Sequence, residues 1–321
     1  MVEESVIKAA LDNVLGESNF KMGERVVGKV RDSYLLGDRR MIVVSDRISA
    51  FDVGIGTIPF KGQVLNQMAA FWFEETKDIV PNHVISVPDP SVMEVAECEQ
   101  LPLEFIVRGY ITGVTKTSAW FNYSNGVRDF CGNQLPEGLV KDQKFDAPIL
   151  TPTTKHEVHD RPISRDEAIA EGLIDAETFD KAAEICFKLF ERGVEPAAKQ
   201  GLILVDTKYE LGLLNGELTV SDEVHTPDSS RYWYADTYQE LFDAGKEQRK
   251  IDKEYVREWL ADQGFRGEGE PPALPDEVRI EAARRYIEAY EKVTGQTFVP
   301  GEGEIYERVE SALAAGGFLD S

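Results

Sequence analysis

The segment LVDTKYELG places Asp206, Lys208 and Glu210 at i, i+2 and i+4, which puts all three on one face of a β-strand. Three ionisable groups after an apolar run are costly unless they are paired, solvated or bound to metal. The chain returns through VSDEVHTPDSSRYW, bringing Asp222, Glu223, Asp228 and Arg231, after the hairpin signal Asn215-Gly216. A two-residue turn there pairs Leu214 with Glu217 and Glu210 with Ser221, sending Asp222 to the opposite face. A three-residue loop pairs Leu214 with Leu218 and sets Glu210 directly against Asp222. Facing carboxylates repel unless a cation sits between them, and Mg²⁺ prefers one or two carboxylates with phosphate oxygens and water. A Mg²⁺ site on Glu210 and Asp222 therefore calls for the three-residue register. Without a metal, the same segment reads as an exposed hydrophilic hairpin.

Three other clusters combine charge with glycine or apolar sequence. Gly28-Lys29-Val30-Arg31 sets two cations on a glycine-softened segment that could lie over a polyphosphate; it is not a P-loop, and a solvated strand face is the competing reading. SDRISAFD (45–52) carries two Asp and two Ser directly after a strand, either as a ligand-holding loop or as a capping and Asx-turn cluster. Arg108 comes straight after EFIV, at the end of a buried strand, and precedes Gly109-Tyr110. Its rigid fork suits a carboxylate or phosphate, and the structural alternative is a salt bridge with Glu104. His156, Glu157, His159 and Asp160 cluster in TKHEVHD, but the H-E-x-x-H zinc spacing is absent; they read as polar loop residues near a ligand. No G-x-S-x-G or G-x-G-x-x-G is present, so a serine hydrolase or dinucleotide enzyme has no support.

The elements that must position these groups follow from periodicity. Residues 5–16 have helical apolar spacing stopped by Gly16. RVVGKVRDSYLL, Gly37-Asp38 and MIVVS read as a β-hairpin, with Gly28 marking a bulge or a close backbone approach to a ligand. Residues 63–76 are helical, VPNHVISVP and LPLEFIVRGY are β-type, and the Gly-, Asn- and Pro-rich 122–152 reads as a long loop. Ser164 and Glu167 form a capping box opening a helix over 165–171. A strongly amphipathic helix covers 178–192 with Gly193 as its stop. LILVD (202–206) is a buried strand, 264–275 is a linker, and a final helix spans 276–293, ending near Gly295. β-rich sequence followed by mixed and then helical sequence implies an α+β fold with two lobes and a helical C-terminal segment. The expected partition is 1–104, 105–263 and 264–321.

The 321-residue chain carries 58 acidic against 35 basic residues, a net charge of −23. That field repels phosphate, so neither nucleic acid nor an anionic membrane is an expected partner. Cys98, Cys131 and Cys186 are distant from one another in sequence and odd in number, which argues for reduced, buried thiols rather than disulfides or zinc. The N-terminal residues lack the apolar run of a signal peptide. A cytoplasmic protein is expected.

Taken in order, GKVRDSY (28–34), SDRISAFD (45–52), LPLEFIVRGYITG (101–113), PILTPTTK (148–155), LILVDTKYELG (202–212) and DEVHTPDSSRYW (222–233) resemble the phosphoribosylaminoimidazole-succinocarboxamide synthase (SAICAR synthetase) family in its longer form. The match runs from about residue 14 to 260. It departs at Val114, where the family usually has Ser, and mildly at Leu211. The resemblance implies a two-lobed fold related to ATP-grasp and kinase-like folds, with antiparallel sheets and flanking helices. It implies joining L-aspartate to the carboxylate of carboxyaminoimidazole ribonucleotide (CAIR), with ATP and Mg²⁺. Carried over, Lys29, Val30 and Arg31 lie on a flap over the ATP phosphates, and residues 100–104, including Glu104, lie beside adenine. Glu210 and Asp222 hold Mg²⁺. Arg108, Lys208 and Arg231 act on the CAIR carboxylate and phosphate, Asp52 lies nearby, and Lys253 and Arg257 help hold the ribonucleotide phosphate. A monomer is expected, with an oligomer left open. Two alternatives stand beside this: another ATP-dependent kinase or ligase on the same scaffold, and a non-catalytic acidic interaction module, which leaves the one-face Asp-Lys-Glu array without a reason.

Overall fold

A three-strand meander and a later two-strand hairpin build the first sheet. In the computed structural model, which describes residues 2–51, 53–155, 160–251 and 254–319, the strands Glu24–Val27, Arg31–Leu35, Arg39–Val44, Val92–Ala96 and Val84–Asp89 lie in that spatial order, all antiparallel. The expected hairpin is thus a three-strand meander. Gly28 is no bulge: its N–H donates to Arg31 O at 2.8 Å, closing a turn with Lys29-Val30 at the tip. A Cβ on Gly28 stands 2.8 Å from that same oxygen, so the glycine admits the chain's own Arg31 carbonyl.

The chain divides into two compact units, Met1–Trp72 with His83–Glu97 and Ile251–Ser321, and Phe73–Asn82 with Cys98–Lys250. In the first, the core joins Leu15, Phe20, Met22, Tyr34, Met41, Val43 and Val92 to Ile305, Val309 and Leu313. The last three lie on the helix Ile305–Ala315, which follows the expected helix Asp276–Thr294 and its left-handed cap Gly295. That extra helix was hidden because its apolar stripe is short. The N-terminal helix stops at Ala9 rather than 16. Leu15 gives its N–H to the Asp46 carboxylate at 2.8 Å and accepts from Asp46 N–H at 2.9 Å, and an i→i−4 ladder cannot use the same groups.

The second unit is built on a sheet in the order Lys144–Leu150, Glu99–Tyr110, Leu202–Leu214, Glu217–Ser221, with Thr153–Thr154 paired to the second strand and Ser230–Tyr234 to the third. The 122–152 stretch is therefore not one loop. It holds the small pairing of Asp129–Phe130 with Asn133–Gln134 and the strand Lys144–Leu150, around Tyr123, Phe130, Leu135 and Phe145. The capping box at Ser164 forms as expected.

The helix Ala176–Lys199 covers one face of this sheet. Its Phe179 ring lies 5.6 Å from that of Phe105, and Phe190 packs on Gly109. The helix runs straight through Gly193, contrary to expectation. A Cβ there falls 2.8 Å from Leu204 and closer still to the His225 ring, so this glycine admits neighbours rather than ending the helix. Because side chains alternate on a strand, covering Phe105, Val107, Tyr209 and Leu211 on one face leaves Glu104, Arg108, Asp206, Lys208 and Glu210 together on the other.

Candidate active site

The cross-strand register brings these charges together. Glu210 pairs with Glu104, Lys208 with Ile106, and Asp206 with both Arg108 and Arg231. Lys208 Nζ lies 3.1 Å from Glu104 and 3.7 Å from Asp222, and it also bonds Glu210. Lys155 bonds the second oxygen of Glu210. Burial alone lowers the Lys208 ammonium, but Glu210, Asp222 and Glu104 outweigh it and hold the group well above the ordinary lysine range. Counted over these side chains, two ammonium groups face three carboxylates.

Asp222 reaches this cluster by a route the pairing argument missed. The turn at Asn215-Gly216 is the two-residue form, pairing Leu214 with Glu217 and Glu210 with Ser221, so the expected three-residue register is wrong. The strand ends at Ser221, and Asp222 adopts a left-handed conformation at φ 61°. That reversal returns its carboxylate to the face from which the pleat alone would exclude it. A left-handed aspartate is one of the few non-glycine residues that tolerates such a turn.

The second half of the site is an arginine pair bridged by one carboxylate. Arg231 makes a two-pronged contact with Asp206, with Nε at 2.8 Å from Oδ1. Arg108 donates to the other oxygen of Asp206 at 3.2 Å, to Thr151 Oγ1 at 2.7 Å and to Thr117 O at 3.0 Å. Burial pulls the Arg108 guanidinium down and Asp206 opposes this. The salt bridge of Arg108 with Glu104 does not form: four steps along the strand set them about 13 Å apart, and Asp206 lies directly across from Arg108. Two guanidinium groups on one carboxylate leave this half formally cationic, the sign an anionic substrate needs, while the carboxylate half suits a hard cation.

Glu104 also accepts from Thr153 Oγ1 at 3.2 Å, within the strand Glu99–Tyr110, whose pairing is irregular between Glu210 and Gly212. Around Val114, which is exposed, Thr112 gives its hydroxyl to Asp142 at 2.5 Å, and Thr115 and Ser118 bond each other at 2.7 Å. Gly113 (φ 93°) is tight against Ser118 and Arg231, so a side chain there displaces the guanidinium. Among the described residues, no group of three or more His, Cys, Asp or Glu side chains converges as a metal cage. Lys29, Val30 and Arg31 lie at the hairpin tip of the first unit, and Arg257 lies on its helix Glu254–Asp262, half-buried. Asp52, Lys253 and the His156, Glu157 and His159 cluster lie outside the described residues.

The SAICAR synthetase family model matches residues 24–272. The chain belongs to the SAICAR synthetase family. A phosphoribosylaminoimidazole-succinocarboxamide synthase of Legionella pneumophila is 49% identical over 92% of this chain and 96% of its own; one from Bacteroides fragilis is 49% identical over 90% and 93%. The SAICAR synthase of Saccharomyces cerevisiae, solved with SAICAR, superposes with a TM-score of 0.76 at 33% identity, over 86% of this chain and 96% of that one. A SAICAR synthetase solved with ADP gives 0.65 at 25% identity, over 86% and 100%. Family membership makes the chain a ligase of purine biosynthesis and bears out the α+β fold with its antiparallel sheets and C-terminal helices. No described helix is long and apolar enough to cross a membrane.

Residue types alone had passed over three members of this site. Lys155 stood inside PILTPTTK without a role, Asp206 was seen as part of a charged face rather than as the bridge between two arginines, and Thr151 gave no signal. A cation one strand away from an acidic face was the available clue for Lys155.

Proposed function

We propose that this enzyme condenses CAIR with L-aspartate at the expense of ATP, through an acyl phosphate, and that the two halves of the charged face divide the work. A carboxylate is a poor electrophile. One oxygen of the CAIR carboxylate attacks the γ-phosphorus and ADP leaves. The aspartate amine then adds to the acyl carbon, loses a proton, and phosphate departs with the transferred oxygen. The protein must align three anions and offset their charge, which is the dominant requirement in phosphoryl transfer.

The observation that carries this reading is the split of one sheet face into a carboxylate group around Lys208 and an arginine pair around Asp206. In this reading Arg108 and Arg231 receive the ribonucleotide anion and Lys208 neutralises the reacting carboxylate, with Asp52, Lys253 and Arg257 assisting at the ribonucleotide. Lys29, Val30 and Arg31 cover the nucleotide phosphates, and Glu104 closes the nucleotide side. Glu210 and Asp222 suit Mg²⁺. Both reach one cationic centre, the Lys208 ammonium, and hard carboxylate oxygens are the donors that ion takes. When bound, it supplies neutralisation of phosphate charge. The setting fits the reduced cytoplasm, with Cys98, Cys131 and Cys186 all free thiols.

Oxygen-18 placed in the CAIR carboxylate should appear in inorganic phosphate, and its absence there refutes the acyl phosphate. ADP release from CAIR and ATP should require aspartate for turnover. Sustained release without the amine instead marks the chain as a kinase on the same scaffold.

A further inference from the structure

The tip of the hairpin Glu24–Val27, Arg31–Leu35 is held from one side by two residues that no role has yet claimed. Arg47 donates Nε to Lys29 O at 3.2 Å and one terminal nitrogen to Gly28 O at 3.0 Å. Its other terminal nitrogen reaches Gly16 O at 2.8 Å. The same fork grips Asp32, at 2.7 Å from Oδ1, and Asp32 is fully buried, accepting also from Ser18 N–H and Oγ. Ser45 completes the set: its N–H and its hydroxyl both donate to Val30 O, at 3.0 and 2.8 Å. Three successive carbonyls, of Gly28, Lys29 and Val30, are therefore captured.

In a trans peptide the C=O and the following N–H point in opposite directions. Holding those three carbonyls inward turns the amides of Lys29, Val30 and Arg31 away from Arg47 and Ser45. Successive amides directed one way make an anion-receiving edge, and two of the three residues that carry them, Lys29 and Arg31, are cationic. One guanidinium serves five acceptors here, a task that its planar fork can perform and a lysine ammonium cannot.

We infer that Arg47, seconded by Ser45, is a positioning residue for nucleotide binding: it fixes the hairpin tip by its carbonyls so that the peptides of residues 29–31 present their amide edge to the polyphosphate. This rests on the reading that the tip covers the ATP phosphates. It adds that the geometry of the cover is set from beneath by the SDRIS segment.

Arg47→Lys is the informative change, because it keeps a cation beside Asp32 and removes the fork. Steady-state kinetics on the full chain should show KM for ATP raised about tenfold, with KM for CAIR and for aspartate each within about twofold of the parent. Amide hydrogen exchange of the ligand-free protein should quicken at residues 29–31. Ser45→Ala should move both readouts the same way but less, since the Ser45 N–H bond survives. An Arg47→Lys variant with KM for ATP unchanged overturns the inference. So does one in which all three KM values rise together with a lower melting temperature, the signature of a merely structural arginine. Lys29→Ala separates the two layers. If it raises KM for ATP while Arg47→Lys does not, the positioning role fails alone; if neither variant moves it, the flap reading fails with it.

Discussion

Replacing Asp206 by Asn tests the arginine half of the site with the least change of shape. Asp206 and Arg108 have side-chain exposures of only 6% and 5%, and Arg231 is 29% exposed. A charge pair at about 4 Å is worth about 4 kcal/mol at an effective dielectric constant near 20. Two such attractions vanish in Asp206→Asn, and the repulsion between Arg108 and Arg231 loses its screen. Against this, the desolvation cost of one buried carboxylate, several kcal/mol, is recovered, and the balance for breaking a buried pair comes to about 3–5 kcal/mol. At about 2–4 °C per kcal/mol for a chain of this size, the melting temperature should fall by roughly 6–20 °C. The neutral amide also cannot hold two forks at once, so Arg108 and Arg231 lose their common anchor. The kcat/KM for CAIR should drop about 100-fold, equivalent to about 2.7 kcal/mol, while KM for ATP changes little. Thermal denaturation followed by circular dichroism, together with steady-state kinetics in CAIR and in ATP, gives both numbers. A variant that melts within about 1 °C of the parent and keeps kcat/KM for CAIR within about threefold refutes the claim that Asp206 organises the pair.

Three further outcomes follow from named geometry. Glu210→Gln removes a charge shared by Lys208 and Lys155 and should cut kcat about 100-fold and abolish stabilisation by Mg²⁺ with ADP, read as a melting shift; retention of that shift sinks the metal assignment. Gly193→Ala gains up to about 1 kcal/mol of helix propensity but drives a methyl into His225 and Leu204, so overpacking of about 1–3 kcal/mol should win and urea midpoints should fall; a more stable variant contradicts the packing argument. Asp46 is fully buried and its carboxyl is pushed up to about 6 by burial, against the Leu15 and Gly62 N–H donors. The folded chain thus binds the proton more tightly than the unfolded one. Its contribution is fully present below the unfolded value of 3.8 and is lost as pH rises through about 6, a span of about 3 kcal/mol. Denaturant titrations should show Asp46→Asn flattening the pH 4–6 arm of the stability curve, and an unchanged slope rejects this.

Much was readable from residue order because it depends on local rules. Alternation put Asp206, Lys208 and Glu210 on one face, Asn215-Gly216 set a tight hairpin turn, and Ser164 with Glu167 capped a helix. Six ordered motifs carried the family. Where reading failed, a local signal was outweighed by something distant in sequence. Gly193 looked like a helix stop and is a gap for the His225 ring. Residues 122–152 looked like a loop because their longest strand, Lys144–Leu150, finds its partner in Glu99–Tyr110, outside the stretch. The helix Ile305–Ala315 packs on residues of the first sheet that lie far earlier in the chain.

The composition of the charged face, which residues are charged and which strand carries them, was decided by the amino-acid order alone, since side-chain alternation is a property of any extended chain. Which charges meet was decided by folding. Arg108 finds Asp206 rather than Glu104 because strand pairing sets its neighbours, and Asp222 rejoins Glu210 because one left-handed residue reverses the pleat. Arg108 and Asp206 meet through the register of strands distant in the chain, and Asp222 through one backbone dihedral; side-chain alternation specifies neither.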